Sequence, residues 1–132
     1  MIAARAKVRV DARKVKQAAK DGTFNSLGHA GAYIRKVARH SIKKGKKPSA
    51  AGTPPHTRKG RLCNAIKYAV NKAAQSVVIG PDYAVAGDSG KAHEFGGHFR
   101  NEQYHRRPFM GPALEKTKDH LPAFWAGSVK GA

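Results

Sequence analysis

Histidine and glutamate occur together in the stretch His93-Glu94-Phe95-Gly96-Gly97-His98. Zinc hydrolases use the pattern H-E-x-x-H, in which two histidines on one helical face bind the metal and the glutamate acts as general base. Here the histidines are five positions apart, which on a helix would separate them by about 140°. The Gly-Gly pair also disfavours a helix. The stretch is therefore predicted to be a strand end followed by a turn, without a metal.

The other polar residues form no recognisable catalytic arrangement. Asp and Glu number 8 in all and never form the paired arrangement that acid–base hydrolysis needs. The single cysteine, Cys63, follows Leu62 and is predicted to be a small, buried apolar group instead of a nucleophile. The sequence has neither a G-x-S-x-G elbow nor a Gly-rich phosphate loop. We therefore expect no enzymatic activity, no catalytic residue and no cofactor.

The charge balance points to binding. Lys plus Arg is 26 and Asp plus Glu is 8, so the formal net charge is 26 − 8 = +18. Such an excess favours a polyanionic partner or acidic protein neighbours. Since 40% of the 132 residues are hydrophobic, the chain is predicted to fold, as a single domain over 1–132.

The lone cysteine excludes an intrachain disulfide, and no apolar run matches a signal peptide or membrane span. We expect a protein made in a reducing cytoplasm, with no membrane partner.

A proline-rich, basic stretch covers residues 43–62 and is called the basic segment here. Pro48, Pro54 and Pro55 cannot continue a helix or sit in a central strand, because proline lacks the backbone donor. The prolines therefore predict an extended arm, whose basic side chains contact either a polyanion or acidic protein neighbours. The candidate assembly or channel-facing residues are Lys43, Lys44, Lys46, Lys47, Arg58, Lys59 and Arg61.

The first third of the chain is predicted to hold one strand and two helices. Alternating residues at 6–10 predict the strand, and residues 12–20 a helix that Asp21-Gly22 ends. A longer helix is expected from Thr23 or Asn25 to about Lys44. Gly28 and Gly31 could mark a close crossing with another element. Spacings of three and four place one apolar stripe on this helix: Phe24, Leu27, Gly31, Ile34, Ala38 and Ile42.

The second half of the chain predicts strands followed by a helix. Residues 60–70 and 76–79 read as two strands joined by a turn at 71–75. Residues 82–90 are predicted to be a loop, 92–95 a third strand, and 98–107 a loop or hairpin tip. Pro108 or Pro112 opens a C-terminal helix, and Pro122 breaks or kinks it. The fold class is α+β: a small antiparallel sheet packed by the long amphipathic helix and the C-terminal helix.

Seven short motifs follow one another in a fixed order. They are Ala38-Arg39-His40-Ser41-Ile42, Lys47-Pro48-Ser49, Gly52-Thr53-Pro54-Pro55-His56-Thr57, Gly60-Arg61-Leu62, Ser76-Val77-Val78-Ile79-Gly80-Pro81, His93-Glu94-Phe95-Gly96-Gly97 and Arg107-Pro108-Phe109-Met110-Gly111-Pro112-Ala113-Leu114. This series resembles the tail-completion (neck, or head–tail joining) proteins of long-tailed double-stranded DNA bacteriophages. The resemblance covers roughly residues 34–115. The N-terminal third matches only in the order of its elements.

The resemblance implies a structural virion protein that is assembled in the host cytoplasm. Its subunits would form a homo-oligomeric ring, with a hexamer as the expected size, that joins the tail tube or tail terminator to the head connector. Genomic DNA would pass through the ring. One departure is that the family often has a Ser-His-Thr-Gly turn where this chain has His56-Thr57-Arg58-Lys59-Gly60. The residues predicted to anchor the fold are Phe95, Pro108, Phe109, Met110 and Leu114.

Two alternatives remain open from the sequence. The charge alone would also suit a nonspecific, basic nucleic-acid-binding protein, although no recognised DNA- or RNA-binding motif accompanies it. Within the phage tail, composition and periodicity do not separate a completion protein from a tail terminator.

Overall fold

The computed structural model describes residues 12–99 and 101–126, so the strand predicted at 6–10 lies outside the described residues. The helices are α1 (Ala12–Ser41), α2 (Arg61–Ala65), α3 (Tyr83–Ala86), α4 (Ser89–Phe95), α5 (Met110–Thr117) and a 3-10 helix (Lys118–Trp125). The strands are β1 (Lys43–Lys44), β2 (His56–Thr57), β3 (Ile66–Asn71), β4 (Ser76–Pro81), β5 (Gly97–Phe99) and β6 (Glu102–Tyr104). The predicted α+β architecture is confirmed, with several small sheets in place of one.

Helix α1 is one continuous helix of 30 residues, about 45 Å long. The predicted break at Asp21-Gly22 is wrong. A glycine inside a helix costs only about 1 kcal/mol relative to alanine, which tertiary contacts can offset. Those contacts come from Lys72, whose Nζ lies 3.6 Å from Asp21 Oδ1 and 5.3 Å from the Phe24 ring centroid. The helix continues through the glycine, with Lys72 beside it.

The β3–β4 hairpin packs on the middle of α1. Its antiparallel register pairs Tyr68 with Ile79 and Val70 with Val77, around a turn at residues 72–75 where 71–75 was predicted. A Cβ added to Gly31 would lie 2.8 Å from Tyr68 Cδ2 and 2.9 Å from Val77 Cγ2, too close for any side chain. The predicted crossing is thus confirmed at Gly31. At Gly28 it is wrong, because no atom lies within 4 Å of such a Cβ.

The core lies where α1, β3 and α5 meet. Its buried side chains come from α1, α2, α3, α5 and β3 and from the residues next to α1 and α5: Ile34, Ala38, Ile42, Leu62, Ala65, Ile66, Ala86, Phe109 and Ala113. Ile66 and Phe109 are fully buried. The predicted stripe is buried from Leu27 onward and joins this core from Ile34, whereas Phe24 is 39% exposed.

The segment between the two hairpins is helical, and its predictions as a loop at 82–90 and a strand at 92–95 are wrong. Asp82 caps α3, since its Oδ1 accepts the Ala84 amide at 3.0 Å. The Lys67 ammonium donates to the same carboxylate at 2.9 Å, and these two bonds lower its pKa. Gly96 ends α4 with φ +75°, and the Tyr104 carbonyl oxygen would lie 3.3 Å from an added Cβ. Glycine therefore marks the end of a helix here, where the sequence pattern indicated the end of a strand.

The C-terminal part follows the prediction more closely. Pro112 lies in the first turn of α5, and Pro122 lies within the 3-10 helix that continues it. The Ser26 hydroxyl donates to the Phe124 carbonyl oxygen at 2.7 Å. The Phe124 ring lies 6.2 Å from His29 and 5.8 Å from Tyr33, centroid to centroid. These contacts dock the 3-10 helix on α1.

Candidate functional site

The basic segment, predicted to be an extended arm, folds back on itself into a closed loop. β1 at the start of the segment pairs in parallel with β2, with Lys43 opposite His56 and Lys44 opposite Thr57. The Gly45 amide also donates to the Thr57 carbonyl oxygen at 3.2 Å. Residues 43–45 and 56–57 therefore lie side by side. The paired residues are 13 positions apart, and no periodic pattern in the sequence predicted their contact.

The three prolines of the basic segment have different surroundings. Pro55 is fully buried directly before β2, Pro54 is half-buried, and Pro48 is exposed. Between Pro48 and Pro54, the Thr53 hydroxyl and amide both donate to the Ala50 carbonyl oxygen, at 2.6 and 3.1 Å. Pro55 thus anchors the returning half of the loop, whereas the other two shape its surface.

All seven predicted basic residues of the segment are exposed: Lys43, Lys44, Lys46, Lys47, Arg58, Lys59 and Arg61. Within 12–99 and 101–126, the ion pairs involve Lys67, Lys72 and Lys118, and none of the seven. Because like charges repel within one short loop, the segment favours an external anion. The loop brings Lys44, Lys46, Arg58 and Lys59 around one shared concavity.

Backbone hydrogen bonds dock the basic segment on the chain that follows β6. The Gly52 amide donates to the Arg106 carbonyl oxygen at 2.8 Å. Arg107 Nε donates to the Ser49 carbonyl oxygen at 2.8 Å, and the Arg107 amide donates to the His93 carbonyl oxygen at 2.6 Å. Arg107 thus connects the basic segment, α4 and the chain leading to α5. Sequence reasoning missed this role, because backbone carbonyl partners leave no residue-type signal.

A groove of about 500 Å³ lies between the basic segment and β6. The basic segment lines one side with Gly45, Lys46, Lys47, Pro48, Ser49, Pro55, His56 and Arg58. The other side consists of His93, Glu102, Gln103, Tyr104, His105 and Arg107. The groove thus has a strongly basic lining with one carboxylate, and three of the seven predicted basic residues border it.

Glu94 has a structural role that the sequence did not reveal. Its Oε2 accepts the Phe109 and Met110 amides at 2.8 and 2.9 Å, and its Oε1 accepts the Gly111 amide at 2.9 Å. These amides are at the start of α5, where the first N–H groups have no partner within the helix. A carboxylate from α4 therefore caps α5. The position 15 residues upstream is too distant for any local capping pattern.

His93 of α4 lines the groove. Its ring centroid lies 5.2 Å from that of Tyr104. Burial, and then the positive charge of Arg107, lower the pKa of His93. Its Nδ1 is buried without a hydrogen-bond partner in the described part of the chain. No three His, Cys, Asp or Glu side chains within residues 12–99 and 101–126 lie close enough to share a metal ion.

The predicted anchors divide into two groups. Phe109 is fully buried, Met110 packs against the core, and Pro108 is half-buried. Phe95 is 72% exposed and Leu114 is 50% exposed, so the prediction of both as anchors is wrong. The inward face of α5 carries small residues instead, Ala113 and Thr117.

Compared with known proteins, the sequence matches no family model, and no curated protein or solved structure is significantly similar to it. The resemblance to tail-completion proteins therefore rests on the order of its motifs. Among the helices of the described ranges, none combines the length and apolar character needed to cross a lipid bilayer.

Proposed function

We propose that this chain is a structural virion protein of the tail-completion class. Its subunits assemble into a ring, with six as the expected number, between the tail and the head connector of a long-tailed bacteriophage. The ordered motifs support this assignment, and so does the α+β fold of long helix, small sheets and C-terminal helix. The function is assembly without turnover, in the neck of the virion, with DNA passing through the ring.

The observation that carries the proposal is the open β3–β4 hairpin. One face packs on α1, but on the other face Val78 is 70% exposed and its partner Ala69 is also exposed. Within the described ranges, no third strand pairs with either β3 or β4. Unpaired strand edges present rows of backbone donors and acceptors that readily pair with another chain. The hairpin is therefore suited to pairing between subunits.

Identical subunits joined through two different surfaces close into a ring when the rotation between them allows it. A hairpin has two edges, so each subunit can contact one neighbour on either side. The basic segment remains exposed in such an arrangement and can face acidic neighbours or DNA. This combination explains how a small domain with a charge of +18 becomes stable in a polyanionic assembly.

The assembly can be tested by native mass spectrometry and electron microscopy of the purified protein. We expect rings of the wild-type chain and subunits alone for Val78→Lys, because charges on an exposed strand oppose edge pairing. Ala123→Lys adds the same charge at an exposed position of the 3-10 helix and is expected to leave the rings intact. Unchanged rings of Val78→Lys would contradict assembly through the hairpin.

The position in the virion is tested by quantitative mass spectrometry of purified particles. We expect about six copies per particle, the content of one hexameric ring. Joint replacement of Lys46, Lys47, Arg58, Lys59 and Arg61 by Gln should preserve the fold and block head–tail joining. Normal yields of infectious particles from that variant, or absence of the protein from intact particles, would refute the assignment.

Nonspecific nucleic-acid binding is the second candidate, favoured by the seven exposed basic residues without an ion pair. It predicts tight duplex binding by the isolated protein, with an affinity that falls steeply as the salt concentration rises, because the release of counterions from the DNA is then less favourable. Such binding without ring formation and without incorporation into particles would favour this candidate. Weak duplex binding at physiological salt would remove it.

A further inference from the structure

The concavity within the basic segment has a volume of about 670 Å³. One side consists of Lys44 of β1 and the two residues after it, and the other side consists of the two residues that follow β2. Because β1 and β2 run parallel, the chain leaves both strands at the same end. Four cationic side chains therefore surround one hollow, whose described lining is Lys44, Gly45, Lys46, Arg58 and Lys59.

The four cations have no counter-charge within the part of the chain that the structure describes. The ion pairs of residues 12–99 and 101–126 belong to Lys67, Lys72 and Lys118. The described lining of the concavity contains no carboxylate either. Like charges around one hollow repel one another, and a bound anion relieves that repulsion. The concavity therefore favours an anionic occupant from another molecule.

Hydrogen bonds hold the two sides of the concavity together. The Gly45 amide donates to the Thr57 carbonyl oxygen at 3.2 Å, and the Gly60 amide donates to Thr57 Oγ1 at 3.0 Å, which closes the turn at 58–59. A Cβ added to Gly45 would lie 2.8 Å from His56 Nδ1, so glycine allows the two sides to come this close. The backbone that carries the cations is thus fixed before a ligand arrives, which reduces the entropy lost on binding.

The lining has the groups that bind phosphates and lacks those that bind bases or apolar protein surfaces. A guanidinium binds phosphate oxygens through paired hydrogen bonds, and an ammonium binds them as a point charge. The described lining contains no aromatic or aliphatic residue. A base would therefore have no side chain to stack on, and a protein partner would find no apolar centre for an interface. A chain of phosphates needs neither.

The basic lining continues beyond the concavity. The adjoining groove is also lined by Gly45, Lys46 and Arg58. Lys47 then extends the row of cations along the groove. A continuous row of cations matches a ligand with regularly repeated negative charges better than it matches a single small anion. The backbone of a nucleic acid is such a ligand.

We infer that the concavity binds the sugar-phosphate backbone of DNA, with about one phosphate contact for each of its four cations and without contacts to the bases. Such contacts hold DNA irrespective of its sequence. This suits a channel through which DNA of every sequence passes. The site deepens the proposed function and rests on it for one point, the presence of DNA beside the basic segment.

The test is fluorescence anisotropy with the full chain and a labelled short duplex over a series of salt concentrations. The logarithm of the wild-type affinity should fall linearly with the logarithm of the salt concentration. The variant K44Q/K46Q/R58Q/K59Q should bind about tenfold or more weakly in about 0.1 M salt. Its slope should be shallower by about 3–4, since each lost phosphate contact removes about 0.9.

The matched control is K16Q/K20Q/K36Q/K116Q, which removes the same charge from exposed positions of α1 and α5. Because these positions lie outside the lining of the concavity, the slope should change by less than about 1. Equal changes in the two variants would overturn the assignment of the phosphate contacts to the concavity, in favour of diffuse charge attraction.

Gly45→Ala tests the geometry of the concavity without changing the charge. The added Cβ would displace His56 or the backbone between Lys44 and Lys46, so duplex affinity should fall about threefold or more. Gly28→Ala is the control, because no atom lies within 4 Å of its Cβ, and it should bind as the wild type does. Unchanged affinity of Gly45→Ala would refute a preorganised site.

Other anions identify the ligand. Tripolyphosphate should displace the duplex only in large molar excess, because it offers few charges; displacement at an equal concentration would assign the concavity to a free phosphate compound. A poly-Glu peptide that binds more tightly than the duplex, and that the concavity variant no longer binds, would assign it to an acidic protein. Duplexes rich in A·T and in G·C should bind within about twofold of each other. A larger difference would refute binding without base contacts.

Ring formation is measured separately on the same variants. Rings of the wild-type chain without duplex binding at the concavity would refute the DNA site alone. Duplex binding that depends on the concavity, by a chain that forms no rings, would refute the proposed assembly alone.

Discussion

The two longer antiparallel hairpins of this protein are held in place by different forces. β3–β4 has six-residue strands and packs one apolar face on α1, where Tyr68 and Val77 close over Gly31. β5–β6 has three-residue strands and adjoins a groove with a basic lining. Hydrogen bonds from Arg107 and Gly52 to backbone carbonyl oxygens attach its continuation to α4 and the basic segment.

Because of this difference, one half of the fold provides most of the buried core and the other half presents the exposed charges. The half that contains α1, β3, β4 and α5 buries apolar side chains, so its stability depends on the volume of those side chains. The half that contains the basic segment and β6 depends on directed hydrogen bonds and keeps its charges in solvent. Substitutions of exposed charges in the second half should therefore alter partners while leaving the core intact.

The largest expected effect is at Phe109, which is fully buried in the first half. Phe109→Ala should lower the free energy of unfolding by about 3–5 kcal/mol, because it leaves a cavity. Phe95→Ala is the matched control, since Phe95 is 72% exposed, and should change it by less than about 0.5 kcal/mol. Urea denaturation measures both. Similar losses at the two positions would contradict the assignment of the core.

Glu94 joins the two halves, so its replacement tests whether they depend on each other. Glu94→Ala should cost about 2–3 kcal/mol, because three amides at the start of α5 lose their acceptor. Glu94→Gln should cost less, as its amide oxygen still accepts. Glu115→Gln, at an exposed residue paired with Lys118 at 2.7 Å, should cost about 0.5 kcal/mol or less. Equal effects of Glu94→Gln and Glu94→Ala would indicate that the negative charge is what matters.

Two glycines of α1 should respond with opposite signs. Gly31→Ala should destabilise by about 1 kcal/mol, because overlap with Tyr68 and Val77 outweighs the gain in helix propensity. Gly28→Ala meets no atom within 4 Å and should stabilise by about 0.5–1 kcal/mol. Thermal unfolding followed by circular dichroism compares them directly. A shift of the same sign in both variants would show that β3–β4 does not pack on Gly31 as described.

The smallest expected effect is the pH dependence of stability that arises from His93, which belongs to the second half. Because the pKa of His93 is lowered in the folded state, the folded chain binds this proton less readily than the unfolded chain. The contribution of His93 to the free energy of unfolding should therefore be fully present above the ordinary histidine pKa of 6.5. The free energy of unfolding should fall as the pH drops below that value. His93→Gln should flatten that part of the profile relative to His98→Gln, whose ring lies outside the groove lining. An unchanged slope in His93→Gln would contradict the burial of this imidazole.

Local patterns were sufficient where both partners of a contact are close in the chain. The apolar stripe of α1 and the turn between β3 and β4 were predictable, because periodicity and turn length are local properties. The same local rules failed at Gly22 and at residues 92–95. At Gly22, which has a low helix propensity, the turn between β3 and β4 contacts the neighbouring residues of the helix. At residues 92–95, a helix ends before two glycines, and the same two glycines would also suit the end of a strand.

The sequence by itself determined the α+β class, the strong positive charge and the exposed position of the basic residues, because composition and short-range spacing decide these properties. Only the tertiary structure decided that the basic segment closes through β1 and β2, that Glu94 caps α5, and that a groove separates the segment from β6. Each of these features depends on backbone groups that are distant in the chain. Every residue type carries the same backbone donors and acceptors, apart from proline, so the sequence could not indicate which of them would meet.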